Sequence, residues 1–87
     1  MNTNLMQGVP MGSRELRELQ RMRDMVHGGL VRAVRVNAGL SLREVAQAVG
    51  VTPSAVFYWE QGKNVPRGEP AIRYARVLLE LEKASER

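Results

Sequence analysis

Residues Ser41 to Gly62 read SLREVAQAVGVTPSAVFYWEQG, and short-range chemistry accounts for nearly every step of the stretch. Ser41-Leu42-Arg43-Glu44 has the form of a capping box, in which Ser41 accepts from the Glu44 amide and the Glu44 side chain reaches back to the Ser41 N–H. A helix therefore starts at Leu42. Leu42, Val45, Ala46 and Val49 then fall on one face of it, and Gly50 stops it. Thr52 is placed to cap a second helix that has Pro53 at its first position, where a missing N–H costs nothing. Gly62 ends that helix. The stretch predicts two short helices joined by a tight turn containing glycine.

The flanking sequence extends the helical pattern in both directions. Leu30, Val31, Val34 and Ala38 predict a helix before the pair, with Gly39 suited to its C-terminal cap. Asn64-Val65-Pro66-Arg67-Gly68 is a loop by composition. Pro70 is expected to open a last helix from Ala71 to about Lys83, with Ile72, Ala75, Leu78 and Leu79 as its apolar set and Tyr74, Val77 and Leu81 beside them. Upstream, Leu16, Leu19, Met22 or Arg23, and Val26 recur at three and four, so another helix is expected from Ser13, which can cap it, to the break at His27-Gly28-Gly29. No segment alternates with period two. These elements predict an all-α fold, a compact bundle of about five helices. Residues 1–12 read as a flexible arm, residues 13–87 as one domain, and about 41–62 as its central motif.

With 87 residues and no cysteine, the chain is expected to be held together by packing rather than disulfides. No apolar run has the length of a membrane span and the N-terminus lacks the pattern of a signal peptide, which suggests a cytoplasmic protein without a membrane role. A formal charge of +4 and a pI near 10.3 favour an acidic partner, nucleic acid before others. Catalysis and metal binding are not expected. The single histidine, His27, stands beside two glycines, and its one neighbour of ligand type a turn away is Asp24. No cofactor motif and no small-molecule site is evident.

The helix after Thr52 carries three adjacent aromatics, and helical geometry separates them. At about 100° per residue, Ala55, Val56, Trp59 and Glu60 share one side, while Pro53, Ser54, Phe57, Tyr58 and Gln61 share the other. Trp59 is expected in the core, and Phe57 and Tyr58 on the outside.

Two short helices about a glycine turn, with one helix before and another after, form the arrangement of a helix-turn-helix domain. The residues Gly39-Leu40-Ser41, Glu44-Val45-Ala46, Gly50-Val51-Thr52, Val56 and Trp59-Glu60-Gln61-Gly62-Lys63 resemble the Cro/repressor-type (Xre-like, lambda-repressor-like) helix-turn-helix family, over roughly Leu30 to Leu79. Against that pattern, the helix from Ser13 is an addition at the N-terminus. The resemblance implies a sequence-specific binder of double-stranded DNA, most often a transcriptional repressor of bacterial or temperate-phage type, associated with the nucleoid when bound. The helix from Thr52 to Gln61 would enter the major groove, with the helix from Leu42 to Val49 across the backbone above it. It also implies an ion pair between Arg35 and Glu60.

Gln47, Thr52, Ser54, Tyr58, Lys63 and Asn64 match positions that face DNA in the family. Thr52, Lys63 and Asn64 sit at a helix start or in a loop and are assigned to phosphates. Arg43 and Arg67 extend that basic footprint, or else line a solvated face. Ser54 and Tyr58 lie one turn apart and are assigned to base edges, with Pro53 and Phe57 beside them able to touch thymine methyls or sugars. Here the sequence departs from the family, whose members often carry Gln, Asn, Arg or Lys on this face for bidentate contacts with purines. Exposed Phe57 and Tyr58 also suit a contact with another protein, so the rival function is an interaction module, an antitoxin or adaptor that keeps the same shape. The apolar surplus of the last helix has two accounts. Either it forms a homodimer through that helix, or the N-terminal helix folds back over it.

Overall fold

The computed structural model describes residues 11–85, so the expectation of a flexible arm falls almost entirely outside the described residues. Five helices follow in chain order: α1 (Ser13–His27), α2 (Val31–Asn37), α3 (Leu42–Val49), α4 (Pro53–Glu60) and α5 (Gly68–Ser85). There is no strand among the described residues, and the fold is all-α.

The signals within Ser41 to Gly62 act where the sequence places them. Ser41 Oγ accepts from the Glu44 amide at 3.0 Å and Glu44 Oε1 accepts from the Ser41 amide at 2.9 Å, which closes both halves of the capping box. Gly50 takes the left-handed conformation with φ 85°, so the chain leaves α3 through a geometry that side-chain-bearing residues adopt at a cost. Thr52 Oγ1 accepts from the Ala55 amide at 3.2 Å, with Pro53 at the first position of α4.

Two helix starts and one face differ from expectation. The N-cap of α1 is Gly12, not Ser13, which is the first helical residue. Glu15 Oε1 accepts from the Gly12 amide at 3.0 Å, so an acidic side chain from inside the helix does the capping. α5 begins at Gly68, two residues before Pro70. The first N–H groups of a helix have no intrahelical acceptor, so a proline in the first turn breaks nothing. On α1 the buried residues are Leu19, Met22, Met25 and Val26, while Leu16 is 56% exposed. The stripe centres on Met22, and Leu16 lies about 120° around the cylinder from it.

α5 is the common support against which α1, α2 and α3 pack. The core joins Leu19, Met22, Met25 and Val26 of α1, Val31 of α2, and Val45, Ala46 and Val49 of α3 to Val56 and Trp59 of α4 and Ala71, Tyr74, Ala75 and Leu78 of α5. Ala46 is 1% exposed on α3, which packs against α4; a larger side chain there would force the helices apart. Tyr74 turns inward onto Trp59, with ring centroids 4.7 Å apart, and α1 runs along α5 with Arg21 bonded to Glu82 at 2.7 Å. Of the two accounts of the surplus on α5, the fold contains the second: Tyr74 lies in the core, Val77 and Leu81 are half-buried, and α1 lies on the helix.

Candidate nucleic-acid interface

α4 is gripped from one side only. Val56 and Trp59 are buried, and beside them the Glu60 side chain is 2% exposed. A carboxylate so placed requires compensation. Arg35 of α2 supplies it with a two-pronged contact, Nε to Glu60 Oε2 at 2.5 Å and Nη2 to Glu60 Oε1 at 3.0 Å. The remaining prong, Nη1, donates to the Leu40 carbonyl at 2.8 Å. One guanidinium thus ties the last residue of α4 to α2 and to the turn before α3. The hydrogen bond to Glu60 holds the Arg35 guanidinium above its ordinary pKa. Burial, reinforced by the charge of Glu60 and opposed by that of Arg35, pushes the Tyr74 phenol well above its ordinary value.

The ends of the motif are fixed by backbone and by one long-range arginine. Lys63 N donates to Tyr58 O at 3.0 Å and Gly62 N to Trp59 O at 3.1 Å, with Gly62 at φ 72°. This Schellman closure sets Lys63 directly against the end of α4. At the end of α3, Arg73 of α5 donates from Nε to the Val49 carbonyl at 2.7 Å and from Nη1 to Glu69 Oε1 at 3.1 Å. Arg73 therefore satisfies a helix-end carbonyl that the turn leaves free. Sequence reading missed this positioning residue. The Glu69–Arg73 spacing signals a pair on one helix face, but nothing local points to Val49.

The other side of α4 is open. Pro53, Ser54, Phe57, Tyr58 and Gln61 are all exposed, Phe57 by 44% and Tyr58 by 43%, with the two rings edge to face at a centroid distance of 5.5 Å. Three shallow depressions connect the residues expected to face DNA. Arg43 and Gln47 share one with Ala46, Val51 and Pro53. Ser54, Phe57 and Tyr58 share a second with Pro53 and Leu42. Lys63, Asn64 and Arg67 border a third with Val51, Trp59 and Pro66 among others. Pro53 is common to the first two and Val51 to the first and third, and on α4 the third is bordered by Trp59. Thr52 is exposed on the chain between Val51 and Pro53, its hydroxyl oxygen already accepting from the Ala55 amide. Among the described residues, no acidic one borders any of the three depressions. The loop that bears Asn64 and Arg67 is anchored by Pro66, which is buried, a second contribution that composition alone does not disclose.

The geometry, a helix pair braced from behind and presenting a basic and aromatic outer face, belongs to a known class. A helix-turn-helix family model matches residues 31–79, over half of the chain, and the chain belongs to this Cro/C1-type (Xre-like) helix-turn-helix family. It is a DNA-binding helix-turn-helix regulator. α1 precedes the matched residues. Among curated proteins and among solved structures, none matches the chain. No helix among the described residues is long and apolar enough to cross a membrane.

Proposed function

We propose that this regulator is a sequence-specific transcriptional repressor of bacterial or temperate-phage type, acting in the cytoplasm on double-stranded DNA, with α4 in the major groove and α3 across the backbone. The observation that carries this reading is the division of α4. Its inner side is clamped by Val56, Trp59 and the Arg35–Glu60 pair, while on its outer side Pro53 shares a depression with Arg43 and Gln47 of α3, and Lys63 is bonded to the backbone of its last turn. In this reading Thr52, Lys63 and Asn64 meet phosphates, with Arg43 and Arg67 widening the footprint. Ser54, Tyr58 and Gln47 meet base edges or the waters upon them. The Arg35–Glu60 pair sets the angle of α4.

Selection from random duplexes, followed by sequencing and a salt titration of the selected site, tests the reading. The expected outcome is one enriched sequence whose affinity falls with salt at a logarithmic slope of about −3 per bound copy, the release expected from the three cations Arg43, Lys63 and Arg67. A palindromic site would report two copies, including the homodimer through α5, and a single half-site would report one. No enrichment, or binding indifferent to salt, contradicts the reading and favours a protein partner for Phe57 and Tyr58.

A further inference from the structure

A DNA-reading face usually presents side chains that can donate and accept in pairs; here Gln47 of α3 brings such a group, but the cleft at the start of α4 brings none. Of the residues around the depression at the start of α4, Leu42, Pro53 and Phe57 have apolar side chains, and Ser54 and Tyr58 bring one hydroxyl each. None can make the bidentate contact that distinguishes a purine. Leu42 comes from the first position of α3 and the other four from α4, so the cleft is built across the two helices, and the packing of Val45, Ala46 and Val56 fixes its walls. Phe57 is steadied edge to face by Tyr58. Two cations lie on the neighbouring chain, Arg43 in the depression that shares Pro53 and Lys63 just past the end of α4, bonded to the Tyr58 carbonyl. A polyanion held by those cations would press its groove floor onto an apolar cleft.

We propose that the cleft formed by Leu42, Pro53 and Phe57 receives the C5-methyl group of a pyrimidine, supplied by thymine, and that this contact sets the sequence preference of the protein. The major groove offers one apolar handle per A·T pair, the thymine methyl, and it is the feature an apolar cleft without paired donors can recognise. Ser54 and Tyr58, on the same side of α4, are left for single hydrogen bonds to neighbouring base edges. The proposal rests on α4 being the groove-reading helix, and its test separates the two claims.

Each thymine of the selected duplex is replaced in turn by uracil, which removes the methyl alone, and in a second arm each cytosine is replaced by 5-methylcytosine; both are read by fluorescence anisotropy. For one or two thymines per half-site, uracil is expected to weaken binding about fourfold, the worth of one buried methyl. Phe57→Ala is expected to bind thymine and uracil duplexes alike while keeping its far-ultraviolet circular dichroism and melting temperature, since Phe57 is exposed. Indifference to uracil together with a gain of similar size from 5-methylcytosine would keep the methyl receptor and assign its source to methylated cytosine. Indifference in both arms, with salt-dependent binding intact, overturns the cleft and leaves the groove-reading helix standing. Discrimination that survives in Phe57→Ala places the methyl elsewhere and also overturns it. Absence of any DNA binding removes both claims.

Discussion

The two sides of α4 are made from one run of eight residues, yet they are under different physical control. On the inner side, Val56 and Trp59 fill space and Glu60 holds a buried charge against Arg35, so each atom is determined by neighbours brought from α2, α3 and α5. On the outer side, Pro53, Ser54, Phe57 and Tyr58 touch mainly each other and solvent. The difference teaches that the inner side decides whether and at what angle α4 exists, and leaves the outer side free to be chosen for what it touches. Changes on the inner side should therefore appear in stability, and changes on the outer side in binding alone.

The largest expected effect follows from Trp59→Ala. Removing a buried indole that faces Tyr74 should cost about 3–5 kcal/mol in urea unfolding, a large share of the stability of a domain of this size. A loss under about 1 kcal/mol would mean that the inner side is not the anchor. Glu60→Ala comes next, leaving Arg35 unpaired at a cost of about 3 kcal/mol. A double-mutant cycle with Arg35→Ala should show that the two losses overlap strongly. A coupling indistinguishable from zero would remove the ion pair from the account.

A smaller effect is expected with pH. The Tyr74 phenol is raised in the folded protein, so below about pH 10 both states keep its proton and it adds no pH dependence. Above that, the unfolded chain loses the proton first, and stability should fall by about 1.4 kcal/mol per pH unit until the folded phenol ionises. Tyr74→Phe should flatten this decline in unfolding curves taken from pH 9 to 11. A decline of equal slope in both proteins would assign it to other groups.

How much of this was legible in the sequence depends on how far apart the interacting residues lie. The caps at Ser41 and Thr52, the turn at Gly50 and the two-sidedness of α4 are set within four or five residues, and local reading places them. The cap of α1 lies one residue from its expected place because Glu15 rather than Ser13 answers the free amide. The face of α1 is different in kind. Leu16 and Met25 are both apolar, and only the position of α5, far along the chain, decides that Met25 is buried and Leu16 exposed. Likewise Arg73 reaches Val49 and Pro66 is buried beneath the loop through tertiary placement, which a periodicity does not encode. The contact between Arg35 and Glu60 spans 25 positions, a separation that no local spacing encodes and that only the family resemblance implies. For the outer face, the sequence supplies membership of the exposed side, and the fold adds that Arg43 and Gln47 border a depression with Pro53, while Lys63, Asn64 and Arg67 border another that shares Val51 with it.

The central claim is that α4 is held by its inner side and reads DNA with its outer side. Anisotropy titrations of Tyr58→Ala and Lys63→Ala on the selected duplex, at several salt concentrations and alongside thermal unfolding, test it most directly. The account predicts weaker binding for both, a salt slope reduced by about one for Lys63→Ala only, and stabilities within about 0.5 kcal/mol of the parent. Unchanged affinity in both variants, with the fold intact, would contradict it.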